Sequence, residues 1–186
     1  KIEEIIKENN PRLIIELGVG SGGCTFILLG LMYKYNYLLM SIDDNYNPAI
    51  RGLPLDLQKR WVYVVGISYN ALKTYKLEQR LPKDYLILPD IYLIDTDYNY
   101  WTLKEELKVI KENISEHGII IINKTSEYRN KSDLKCEYGV FESYPKQIKE
   151  MINLPMYKAI EEFLLENKNY YIFKESMEFG GCLAIR

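Results

Sequence analysis

The chain has little cysteine and a single histidine. Cys24, Cys136 and Cys182 are far apart and form no C-x-x-C pair. That spacing argues against a disulfide framework and against a cysteine-based zinc site, and it points to a reducing, cytoplasmic setting. His117 sits just before Gly118 at the end of a helical pattern, where a partial positive charge suits the helix dipole, so it reads as structural. Long apolar runs are also missing. None approaches the roughly 20 residues a membrane span needs. The start, Lys1-Ile2-Glu3-Glu4, is charged and unlike a signal peptide. It is not a Met, which leaves room for a short leader ahead of it. An excess of charge is missing too. A net charge of −2 implies no basic surface, so neither nucleic acid nor membrane is an expected partner.

What is present suits one globular domain spanning 1–186. Apolar residues make up 47% and charged residues 27%, enough of the first to bury a core. Tyrosine is abundant, at 17 residues. Biased base composition is the plain reading, and a stacking surface for bases is the sharper one. Nothing in the sequence sets an oligomeric state.

The pattern alternates strand and helix. Ile2, Ile5 and Ile6 open a short helix that Pro11 interrupts. Residues 13–17 read as a buried strand, followed at once by the glycine cluster 18–23 and an apolar helix over 24–35. A second strand over 37–42 ends in Asp43-Asp44. A loop-rich stretch follows, with room for a short helix over 55–60. Residues 61–65 form a third strand closed by Gly66, and Ser68 is placed as the N-cap of a helix to about residue 80. Residues 90–94 form a fourth strand ending at Asp95. A helix over 101–116 is ended by Gly118, and 119–122 form a fifth strand without alternation, as a sheet buried on both faces requires. Residues 124–143 are polar and aperiodic, which marks a functional or mobile stretch. A helical segment over 144–167 breaks near Pro155. Strands at 170–173 and 182–185 close the chain. The glutamates of 101–116 and 155–166 read as solvated faces around an apolar stripe. The fold class is therefore α/β: a Rossmann-like, doubly wound, mainly parallel sheet with a C-terminal antiparallel strand pair.

The glycine turn carries the chemistry. It follows a buried strand and precedes a helix, the context in which glycines let a ligand approach the main chain. Asp43, at the end of the second strand, can accept hydrogen bonds from both hydroxyls of a ribose, with Asp44 as fallback. So far a dinucleotide and S-adenosylmethionine fit equally. The G-x-G-x-G spacing with Glu16 two residues ahead, the short chain and the final strand pair favour the second.

These residues resemble a known family. The string Glu16-Leu17-Gly18-Val19-Gly20-Ser21-Gly22-Gly23 is similar to the first motif of class I S-adenosylmethionine-dependent methyltransferases. D-I-Y-L-I-D-T-D-Y over 90–98 resembles the fourth-strand motif of one branch, the small-molecule O-methyltransferases of methyltransferase family 24 and the cephalosporin-hydroxylase-like group. The likeness continues more loosely through 101–118, 155–164 and 180–185.

The resemblance implies S-adenosylmethionine as cofactor and a small-molecule acceptor, methylated at oxygen. Glu16, Gly18, Gly20 and Gly22 would hold the methionine end, and Asp43 the ribose. Gly66, Ile67 and Ser68 would lie by the adenine, although an acidic residue is usual where Ile67 stands. Asp95 would sit near the transferred methyl. Metal-dependent members carry carboxylates after the fourth and fifth strands. Here Asp95 and Asp97 remain, but Tyr98 replaces a His and Asn123, followed by Lys124, replaces an Asp. A divalent metal is therefore possible but not favoured, and no metal ligands are assigned. Asp95, Tyr98 and Lys124 are the candidate catalytic residues, left to handle the acceptor proton. Residues 124–143, with Tyr128, Tyr138 and Phe141, would form the acceptor loop. Two other readings stand beside this one: a non-catalytic cofactor-binding protein of the same fold, and an NAD-dependent oxidoreductase.

Overall fold

Continuous aliphatic strands need cover on both faces, and the chain supplies it. The computed structural model describes residues 2–45, 56, 59–74, 88–133, 145–167, 173–176 and 182–185. Its elements are α1 (Ile2–Asn9), β1 (Leu13–Leu17), α2 (Gly23–Tyr35), β2 (Leu38–Asp43), β3 (Trp61–Val65), α3 (Ser68–Thr74), β4 (Ile91–Ile94), α4 (Tyr100–Glu112), β5 (Ile119–Ile122), α5 (Lys146–Ile152), α6 (Met156–Asn167), β6 (Phe173–Ser176) and β7 (Cys182–Ile185). One sheet runs in the order β3-β2-β1-β4-β5-β7-β6. The first five strands in that order are parallel. β7 lies antiparallel to both β5 and β6.

Alternate side chains along each strand go to opposite faces. Leu13, Ile15, Leu17, Tyr92, Ile120 and Ile122 pack with residues of α3, α4 and α6. Ile14, Leu39, Leu93, Ile119 and Ile121 pack with α1 and α2. Each such aliphatic side chain, fully buried, contributes about 1.5–3 kcal/mol. The sheet is thus the middle of three layers.

Several boundaries differ from the sequence reading. α4 begins one residue early, because the Asn99 side chain accepts the Thr102 N–H at 2.9 Å. It ends at Glu112, not at 116: the Asn113 side chain turns back onto the Val109 carbonyl at 2.7 Å, and Ser115 N–H bonds Pro89 across the chain. Gly118 closes that turn instead of the helix, since a Cβ there would overlap the Ile114 side chain. Pro155 does separate two helices, α5 and α6. Sixth-strand pairing starts at Phe173, opposite Ile185. The expected start of that strand, the helix over 55–60 apart from 56, 59 and 60, and 75–80 at the end of the α3 pattern lie outside the described residues.

The order places the site. From β1 the chain moves outward to β2 and β3, then returns so that β4 lies on the other side of β1. The connections after β1 and β4 leave in opposite directions, opening a crevice at the carboxyl ends of these two strands.

Candidate active site

The glycine turn rises from the end of β1 into that crevice. Gly18, Gly20 and Gly22 all have positive φ, at 85°, 51° and 85°. Gly18 has a second reason to be glycine: a Cβ there would overlap the backbone carbonyl of Asp95, at the end of β4. The turns after β1 and β4 are therefore in backbone contact. Gly20 and Ser21 are exposed, and a Cβ on Gly20 would have nothing within 4 Å, so the crest of the turn is open to solvent.

Asp43 clamps the turn from the β2 side. Its Oδ2 accepts the N–H of Val19 at 2.6 Å and of Gly20 at 3.0 Å, and its Oδ1 accepts the N–H of Asn45 at 2.8 Å. The carboxylate is thus already committed to the loop backbone, with acceptor capacity left over. Asp44 is exposed, and partial desolvation with the adjacent Asp43 charge raises its pKa.

Glu16 lies beneath the turn and is fully buried on the α2 face. Its Oε2 accepts hydroxyls from Thr25 at 2.9 Å and Ser41 at 2.6 Å. Trp61 Nε1–H donates to the Ser41 oxygen at 3.1 Å. Burial pushes the Glu16 carboxyl up to about 7 against these bonds. Its Oε1 has no hydrogen-bond partner among the described residues. An orphaned buried acceptor fits a donor such as an amino group or a water.

Across the crevice, Asp95 Oδ1 accepts the Tyr98 hydroxyl and the Asn123 Nδ2–H at 2.9 Å. The amide of Asn123 is oriented by its own Oδ1, which accepts the Lys124 N–H at 2.9 Å. Lys124 has φ 53°, a left-handed conformation that is costly for a side-chain-bearing residue and marks a constrained position. Its Nζ stands 4.6 Å from the Tyr98 ring centre, and Tyr98 stacks on Tyr128 at 4.5 Å. Burial and the hydrogen bond to Asp95 push the Tyr98 hydroxyl pKa far up, so it stays protonated as a donor. Asp97, though solvent-accessible, is raised to about 6, first by desolvation and then by the charges of Asp44, Asp133 and Asp43.

This donor set does not fit a divalent cation. Asp95 faces an amide N–H and a phenolic O–H, with an ammonium next along the chain. Among the described residues no three His, Cys, Asp or Glu are grouped to hold a metal.

Ser68 is not a free N-cap. It is the first residue of α3, the Ile67 carbonyl accepts the Ala71 N–H at 2.8 Å, and the Ser68 hydroxyl donates to Glu106. Gly66, before it, donates its N–H to the Asp43 carbonyl at 2.8 Å. Glu106 corrects the reading of the α4 glutamates as solvated: it is 0% exposed. Its position among Leu103, Leu107 and Ile110 on one helical face was the signal for that burial. Thr25, Ser41 and Trp61, which surround Glu16, carried no sequence signal. Tyr138 and Phe141 lie outside the described residues.

No protein-family model matches the chain, and no curated protein matches it in sequence. Solved structures match it in fold. The S-adenosylhomocysteine-bound methyltransferase PaMTH1 from Podospora anserina superposes with TM-score 0.62 at 16% identity, over 100% of this chain and 75% of that one. CalS11, a TDP-rhamnose 3′-O-methyltransferase of calicheamicin biosynthesis, gives 0.62 at 12% identity, over 100% and 76%. CmcI, solved with Mg and SAM, gives 0.57 at 16% identity, over 100% and 69%. The chain has the fold of these proteins. No helix among the described residues is long and apolar enough to cross a membrane.

Proposed function

We propose that residues 1–186 form one S-adenosylmethionine-binding domain that methylates an oxygen of a small molecule. The observation that carries this reading is the exposed glycine turn at the β1/β4 switch point, clamped by the Asp43 carboxylate. The fold shared with methyltransferase structures supports it. The sequence motifs resemble those of the small-molecule branch that includes methyltransferase family 24. Cysteines too far apart in sequence for a C-x-x-C pair suit a cytoplasmic location.

S-adenosylmethionine supplies the methyl group as a sulfonium. The turn residues Gly18, Gly20 and Gly22 offer backbone to its methionine end, and Glu16 Oε1 offers an acceptor below. Asp43, with Asp44 beside it, receives the ribose. Gly66 and Ile67 lie by the adenine, and Ser68 acts through Glu106. Asp95 takes the acceptor's proton through Oδ2, which receives no hydrogen bond from the described residues, while Tyr98 fixes the carboxylate by bonding Oδ1. The Lys124 ammonium stabilises negative charge on the acceptor oxygen as it attacks. Tyr128, stacked on Tyr98, forms part of the acceptor loop.

Calorimetric titration with S-adenosylhomocysteine, beside NAD, is the test. Micromolar binding of the first and none of the second is expected. A preference for NAD would sink the reading in favour of an oxidoreductase. Binding without turnover over a broad acceptor panel would leave a non-catalytic binding protein.

A further inference from the structure

The buried Glu106 joins the two walls of the crevice. Its Oε1 accepts the hydroxyl of Ser68, which opens α3 beside Gly66 and Ile67. Its Oε2 accepts the hydroxyl of Thr96 at 3.1 Å, and Thr96 adjoins Asp95 in the turn after β4. One carboxyl on α4 thus reaches the wall expected at the adenine and the wall expected at the transferred methyl. A leucine there would extend the stripe of Leu103, Leu107 and Ile110 and would serve packing better than a buried acid does. Burial raises the carboxyl to about 8, against the two hydroxyl bonds, and the charge of Asp97 adds to the shift. At the surface the same two helices are bridged by Lys73 and Glu105, 2.5 Å apart.

We infer that Glu106 is a positioning residue, which holds Ser68 and Thr96 in register so that both walls grip the nucleoside together. The inference rests on the cofactor site proposed above. It predicts that losing the carboxyl loosens the walls without loosening the core.

Glu106→Leu and Glu106→Gln are compared with the parent by two measurements. The first is amide hydrogen exchange of the ligand-free chains over 66–69 and 95–99, read against the denaturation midpoint. Faster exchange in Glu106→Leu at both places, with the midpoint kept or raised, is expected. Unchanged exchange overturns the link. The second is affinity for S-adenosylhomocysteine. Glu106→Leu should bind about fivefold more weakly, the scale of one hydrogen bond between uncharged groups. Glu106→Gln, which can still bond both hydroxyls, should recover most of that. Parent-like binding by Glu106→Leu, or no recovery in Glu106→Gln, overturns the role. Ser68→Ala and Thr96→Val should lose less together than the sum of their separate losses, because both act through one carboxyl. Additive losses also count against it. If the parent itself binds no S-adenosylhomocysteine, the proposed function fails, and the exchange data still decide whether Glu106 links the walls.

Discussion

At the scale of single residues, the clamp that Asp43 places on the glycine turn and its proposed ribose contact ought to separate it from Asp44. Asp43→Ala removes three backbone hydrogen bonds together with the proposed ribose contact. Its affinity for S-adenosylhomocysteine should fall by about 10- to 100-fold, as for loss of bonds to a charged acceptor. Asp44→Ala should change it far less, and calorimetry of the two variants decides between the carboxylates. Gly18→Ala tests the contact between the β1 and β4 turns. With φ at 85° and the Asp95 carbonyl in the way, it should cost at least about 1–3 kcal/mol, read as a lowered denaturation midpoint.

At the scale of elements, the proposed acceptor chemistry depends on the turn after β5. Lys124 is held in a left-handed conformation, with its ammonium by the Tyr98 ring and its N–H on Asn123. Lys124→Met should keep S-adenosylhomocysteine affinity and lower turnover by about tenfold or more, since only the reacting oxygen loses its cation. A parallel loss of cofactor affinity would move Lys124 from acceptor to cofactor. Turnover should also survive a chelator, because Asp95 Oδ1 is already occupied by Asn123 and Tyr98 and the Lys124 ammonium lies over the Tyr98 ring. A requirement for added Mg²⁺ would contradict that geometry.

At the scale of the whole molecule, buried acids set the pH response. The Glu16 and Glu106 carboxyls are raised from an ordinary 4.5 to about 7 and about 8. The folded chain then holds protons that the unfolded chain releases, so stability is highest below pH 4.5 for these groups and falls as pH rises toward about 8. Thermal melts across that window should show the decline, and Glu106→Gln should flatten it. An unchanged slope in that variant would mean that Glu106 stays ionised in the fold.

The sequence by itself determined the strand and helix order, because aliphatic runs of 4–6 residues and helical stripes are local patterns. It also determined the glycine turn and the acid after β2, because turn chemistry is written in adjacent residues. It could not determine which partners a polar side chain finds across the fold. Glu16 meets Ser41 and Thr25 only when β2 and α2 dock on β1, and Glu106 meets Ser68 and Thr96 only when α3 and α4 pack together. The same holds for Asp95, whose neighbours Tyr98 and Asn123 come from the turn after its own strand and from the end of the next. Burial removes water as the alternative partner, so these pairings follow from packing, and packing is decided by the tertiary structure alone.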